Sequence, residues 1–229
     1  MKRALSITGI VWITVGAIIA LGQAKPPIHP RVTLTSSGTA IKTITEIGRR
    51  AKLPIGIILG KDYARLCRVS GSFDFSDSDA RDDLRKVAGL ADYEATEEHG
   101  TVLLTPPDML PWQEDVLNHR FKNFRGFKNA TMADMGMQLT GLIQMGVGRI
   151  PTFAYSLAYS LNDLRISLPP MGSPSTEEIA EQIVSLDGGG IWMMKPLVPN
   201  PQGAKDVVIT IMSYRDRPSA SAIMGCSPG

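Results

Sequence analysis

Histidine and cysteine are scarce in this chain, with three of the first and two of the second among 229 residues. His29, His99 and His119 stand far apart, and no HExxH or CxxC pair supplies metal-ligand spacing. The expectation is therefore no metal, no cofactor and no catalytic residue set. Gly188-Gly189-Gly190 lacks the Lys-Ser/Thr that completes a phosphate loop, and Gly172-Ser-Pro-Ser175 lacks the second glycine of a nucleophile elbow. An acidic run, Asp74, Asp77, Asp79, Asp82 and Asp83, fails as a calcium loop. Counted from Asp77, the sixth position is Asp82 where glycine is needed, and the twelfth is Ala88 where glutamate is needed. Acids at a helix N-terminus explain that run better.

Long apolar runs are also missing after the first twenty-odd residues. Lys2 and Arg3 precede a nearly unbroken apolar stretch, Ala4 to Leu21, and Gly22-Gln-Ala24 offers small residues for cleavage. Residues 1–24 read as a signal peptide or, uncleaved, as a signal anchor long enough to span a bilayer. Either reading places the remainder in the periplasm or otherwise outside the cytoplasm, with membrane contact only through residues 4–21. Removing residues 1–24 takes away two cations and no acid, which leaves equal numbers of acidic and basic residues. A balanced charge argues against nucleic acid as a partner. In an oxidising compartment Cys67 and Cys226 could form a disulfide.

Residues 25–30, Lys-Pro-Pro-Ile-His-Pro, form a stiff tether. The stretch 31–106 then alternates strand and helix signals. Arg31 to Thr35 is β-branched and extended. Ile41, Ile44, Ile47 and Ala51 recur at helical spacing until Pro54. Ile55 to Leu59 is a short buried-strand run, and Cys67 to Phe75 alternates loosely. Asp77 or Asp79 caps a second helix with a stripe of Ala80, Leu84, Val87 and Ala88, ended by Gly89. Asp92 to Glu97 and Thr101 to Thr105 flank His99-Gly100 as a hairpin. Two singly striped helices can cover a small sheet, so the fold class is α+β, a small two-layer βαββαββ domain.

These residues resemble the short N-terminal domain of secretins and TonB-dependent receptors. The likeness rests on Ile44, Ile47 and Ala51, on Ile55 to Leu59, on Val69 to Phe75, on Leu84 with Gly89-Leu90, on Tyr93 and on Gly100 to Leu104. The resemblance covers about a third of the chain and implies a non-catalytic module that docks on an envelope protein. The secretin core and β-barrel that normally follow are missing, so it implies no pore.

Residues 107–118 read as a linker, with Pro106, Pro107 and Pro111 at its start and one or two helical turns from Trp112 to Leu117. A second α+β domain is expected over 119–214, either repeating the topology of the first or unrelated to it. Its strand is expected at Arg120 to Arg125. A helix follows, carrying Met132, Met135, Leu139, Leu142 and Ile143 on one face. A further helical segment is expected at Thr152 to Leu161, led by Pro151, and a strand at Leu164 to Leu168. Ser175-Thr-Glu-Glu178 is a capping box, and Ile191 to Val198 and Asp206 to Tyr214 are strands, the second central because both its faces are apolar. Residues 215–229 read as a loose tail.

His119-Arg-Phe-Lys-Asn-Phe-Arg-Gly-Phe-Lys128 interleaves cations with aromatics. It is either an ordinary half-buried strand or a surface for an acidic partner. The residues that would contact a partner are Arg68, Ser70, Ser72, Asp74, His99, Arg120, Lys122 and Arg125. Asn129-Ala-Thr131 is a short sequon that occurs by chance, and the methionines read as core fillers. The leading reading is an exported, non-catalytic docking protein. The alternatives are a membrane-anchored subunit of an envelope assembly, and an enzyme built from Asp62, Tyr63 and His99 or from His119 with nearby acids.

Overall fold

The computed structural model describes residues 30–146, 154–158, 164–196 and 207–216. The chain is α+β, and its elements fall into two units of the same order. The first runs β1 (Arg31–Thr39), α1 (Ala40–Ala51), β2 (Ile55–Ile58), the short α2 (Arg65–Arg68), β3 (Ser70–Asp79), α3 (Ala80–Gly89), β4 (Glu94–Glu98) and β5 (Thr101–Thr105). After α4 (Pro111–Leu117), the second runs β6 (Phe127–Ala130), α5 (Met132–Gly146), β7 (Ala154–Ala158), β8 (Ile166–Leu168), α6 (Thr176–Ser185), β9 (Gly190–Pro196) and β10 (Val207–Ser213).

Pairing repeats as well as order. In each unit the first and third strands form an antiparallel ribbon, β1 with β3 and β6 with β8. In each, the last two strands are antiparallel, and the final one lies parallel to the unit's second strand: β4–β5–β2 and β9–β10–β7. Of the two readings left open by the sequence, the pairings therefore favour the repeated topology.

The two units are not separate domains. Parallel pairing of β2 with β9 (Ile55 to Ile191, Ile58 to Met194) fuses both triplets into one six-stranded sheet. The proposed linker at 107–118 is no gap between cores. Helix α4 buries Gln113, Val116 and Leu117, and the Gln113 amide donates to the Leu59 carbonyl at 3.0 Å. An apolar strand such as β2, buried along its whole length, cannot serve as a solvent edge. Pairing with β9 covers it.

Because β2 and β9 run the same way, the direction of each triplet reverses across the junction. That reversal puts the helices of the two units on opposite faces of the sheet. Strand side chains alternate accordingly. Ile55, Ile57, Ile191 and Met193 pack with α1 and α3, whereas Ile58, Leu103, Trp192 and Met194 pack with α5 and α6. Gly56 sits beside Trp192, and a Cβ there would fall 2.7 Å from its Cε2. The missing side chain is what admits the indole.

Local signals explain most helix ends. Thr39 and Asp79 cap α1 and α3 by accepting from Lys42 N and Arg81 N. Ser175 and Glu178 form the expected capping box of α6. Several expectations need correction. Cys67 lies in helix α2, and the strand begins at Ser70. Residues 120–125 are not a regular strand: Asn123 and Gly126 take positive φ of 55° and 72°, and only an isolated bridge, Arg120 to Ser175, forms. Of the segment expected to be helical after Pro151, residues 154–158 are strand β7, held parallel to β10. The rest of that segment, residues 1–29 and residues 217–229 lie outside the described residues. Among the described residues no helix is long and apolar enough to cross a membrane.

Candidate functional site: a basic, apolar groove on the second unit

The ribbon of the second unit is irregular. Phe121 N donates to Pro174 O and Asn123 N to Gly172 O, and Met171 N donates to Phe124 O. At the crossing, a Cβ on Gly126 would lie 2.1 Å from the Leu168 carbonyl, so only glycine fits both its φ and its space. Phe124 and Phe127 turn inward, edge to face at 5.2 Å, and anchor the loop.

Between this loop and helix α5 lies an open groove of about 710 Å³. Gln138, Gly141, Leu142 and Met145 form its helical wall. Their spacing of three, four and seven puts them on one stripe of α5. Met145 is 76% exposed, and a Cβ added to Gly141 would meet nothing within 4 Å. The opposite wall carries Phe121, Lys122 and Arg125, with His119 packed edge-on against Phe121 at 4.9 Å. A second hollow of about 810 Å³ continues past Gly126 towards Pro170 and Met171.

The electrostatics are one-sided. Among the described residues, Arg120, Lys122 and Arg125 line the groove and no carboxylate does. Arg120 is held by the Ser173 carbonyl at 2.7 Å and by Glu178 at 3.5 Å. Among the described residues neither Lys122 nor Arg125 has an acidic partner, so both can offer charge to a ligand.

The first unit shows what the same position looks like when closed. Counted from the first helical residue, Gln138, Gly141 and Leu142 of α5 correspond to Glu46, Arg49 and Arg50 of α1. Buried positions coincide under this alignment: Ala40 with Met132, Thr43 with Met135, and Ile47 with Leu139. Arg49 and Arg50 both bind Glu46, each with Nε at 2.9 Å, and Arg50 also reaches the Thr33 carbonyl of β1 at 2.8 Å. Those guanidinium groups hold the Glu46 carboxyl below its usual range. One repeat thus fills the stripe with its own ion pairs. The other leaves it apolar and open.

The residues singled out from the sequence separate into three places. Arg120, Lys122 and Arg125 share the groove. Ser70, Ser72 and Asp74 are exposed on β3, where Asp74 accepts from Thr35 Oγ1 at 2.9 Å, and Arg68 pairs with Asp62. His99 lies at the β4–β5 turn beside Glu181. The site imagined from Asp62, Tyr63 and His99 does not assemble. Strands β2 and β5 are parallel, so the residues after β2 and the turn before β5 lie at opposite ends of the sheet. Asp62 and Tyr63 belong instead to a charged patch in which Arg65 reaches towards Asp62, Asp92 and Asp108 at 3.5–3.8 Å. There Lys195 Nζ stands 3.9 Å over the Tyr63 ring. Cys67 is disulfide-bonded, and Cys226, the chain's one other cysteine, lies outside the described residues. Among the described residues no group of three His, Cys, Asp or Glu is placed to hold a metal ion.

Sequence reasoning flagged the basic loop but missed the α5 wall. Leu142 shares spacing with the core residues Leu139 and Ile143, and only packing tells them apart. Comparison with protein-family models, with curated proteins and with solved structures finds no match.

Proposed function

We propose that this chain is an exported, non-catalytic binding module whose groove takes an acidic segment of an envelope protein, anchored by apolar side chains. The observation that carries this reading is the groove itself: an apolar helical stripe facing aromatics, rimmed by cations, with no acid among the described residues of its lining. Charge of one sign steers an oppositely charged partner, and the apolar floor supplies the contact area. The Asn123 and Gln138 amides can hydrogen-bond a peptide backbone. Exposed Met145 is an adaptable contact for a linear segment. A concave lining suits a peptide better than a flat bilayer surface.

The resemblance of residues 31–106 to the docking domains of secretins and TonB-dependent receptors supports the same class of function. The first unit has the element order which that resemblance implies, interrupted only by α2. A function resting on fold alone would be weak. The groove adds a chemical reason for recognition.

The test uses a fluorescein-labelled synthetic peptide alternating Asp or Glu with Leu and Phe, titrated in fluorescence anisotropy. Wild-type protein is expected to bind in the micromolar range, more weakly as salt rises. Gly141→Phe, which fills the groove from an open position, and Lys122→Glu with Arg125→Glu should each weaken binding at least tenfold. Equal binding by all three proteins would overturn the assignment.

A further inference from the structure

The tip of the β4–β5 hairpin, which belongs to the first unit, rests on helix α6 of the second. His99 and Gly100 form that tip with φ of 48° and 82°, a two-residue turn that fixes where the imidazole points. His99 Nδ1 stands 3.5 Å from Glu181 Oε2. The imidazole is largely exposed, whereas Glu181 is only 2% exposed and its other oxygen, Oε1, has no hydrogen-bond partner. Both elements hold a further buried hydroxyl without a partner, Thr101 Oγ1 and Thr176 Oγ1. The unpartnered Glu181 oxygen alone makes this seam costly to keep shut.

We propose that the hairpin tip and α6 form a proton-operated latch between the two units, closed while Glu181 is protonated or paired with the His99 imidazolium, and loosened when Glu181 stands as a bare carboxylate. Two further acids surround the pair, Glu98 from the hairpin and Glu177 from α6 itself. Among the described residues, the strands and helix packed beneath α6 offer no charge in return, and α4, which also packs against it, carries only the exposed acids Glu114 and Asp115. Beneath α6 lie Gly56 and Ile58 from β2, Trp192 and Met194 from β9, Ile209 and Ile211 from β10, and Leu139 and Ile143 from α5. Among the described residues His99 is thus the one cation acting on Glu181, and it counts only when protonated.

Burial first, and then the Glu177 charge, push the Glu181 carboxyl up to about 7. Burial also raises Glu177. Once Glu181 loses its proton and the imidazole is neutral, three carboxylates crowd a seam with no counter-charge. Water then has to enter, and the His99-Gly100 tip, which lies outside the paired residues of β4 and β5, is the part that lifts. The latch acts on the junction of the units and does not depend on what the groove binds.

Hydrogen exchange on the full chain, corrected for the intrinsic pH dependence of exchange, tests it. Protection of amides 98–101 and 177–181 should fall at least tenfold between pH 5.5 and 8.5. Glu181→Gln should abolish the fall. His99→Ala should move the transition to lower pH, because no imidazolium is then left to hold the Glu181 carboxylate in the closed seam. Unchanged protection in the wild type, a fall that persists in Glu181→Gln, or a transition that His99→Ala leaves in place would each overturn the latch.

Discussion

Tyr214 donates its hydroxyl to the carbonyl of Leu53 at 2.7 Å, across 161 residues and in full burial. The residue that follows the last strand of the second unit thereby closes the end of α1 in the first. A Cβ on Gly48 would lie 2.1 Å from that hydroxyl and 2.6 Å from Ile55 Cδ1. Tyr214→Phe leaves the Leu53 oxygen unpaired and should cost about 1–2 kcal/mol in urea denaturation. Gly48→Ala should cost about 1–3 kcal/mol by overpacking, although alanine is the better helix former. In the double variant the two costs should fall short of their sum, because the phenylalanine removes the atom that the new methyl strikes.

Gly141→Ala should have the opposite sign. Nothing stands within 4 Å of its Cβ, so only the helix propensity changes. Thermal or urea unfolding should show a gain of roughly 0.5–1 kcal/mol. A loss would mean that the α5 stripe is covered.

Stability should depend on pH through Glu181. Its folded pKa is raised to about 7, above its ordinary value of 4.5. A raised carboxyl binds its proton more tightly in the folded state. Its contribution is therefore complete below pH 4.5 and is lost as pH rises through about 7. Urea midpoints should fall between pH 5 and pH 8, by up to about 3 kcal/mol in unfolding free energy. Glu181→Gln should flatten that slope and be the more stable protein at pH 8. Glu46 works the other way, because its arginine partners lower it. Its support is present above the ordinary carboxylate range and declines in acid.

Residues 31–106 alone should not fold as a stable monomer. Removing β9 bares β2 as an apolar edge, and removing α5 and α6 exposes Ile58 and Leu103. Circular dichroism and size-exclusion chromatography of that fragment should show aggregation or loss of structure. A cooperative, monomeric melt would contradict the fused-sheet description.

The disulfide expected between Cys67 and Cys226 is checked by non-reducing peptide mapping. The peptides containing the two cysteines should run as one mass and separate on reduction.

Local chemistry was legible where a few adjacent residues decide the outcome. The Ser175–Glu178 box, the Asp79 cap and the His99-Gly100 turn could all be read directly, because each is closed by neighbours in sequence. Residues 154–158 misled for a long-range reason. Phe153, Leu157 and Leu161 have helical spacing, but pairing with β10 more than fifty residues away makes the segment a strand. The β2–β9 junction joins Ile55 to Ile191 in parallel, with no turn between them to announce it. For the same reason two expected domains became one sheet. His99 and Glu181 meet only because of that junction, so their pairing left no local trace.

The groove is the centre of the functional account, and backbone amide shifts report on it residue by residue. Titrating isotope-labelled protein with the acidic, apolar peptide and recording ¹H–¹⁵N correlation spectra should move resonances of residues 119–127 together with Gln138, Gly141, Leu142 and Met145. The equivalent α1 positions, Glu46, Arg49 and Arg50, should stay still. Shifts confined to β3 or to the β4–β5 hairpin, or no shifts at millimolar peptide, would contradict the account.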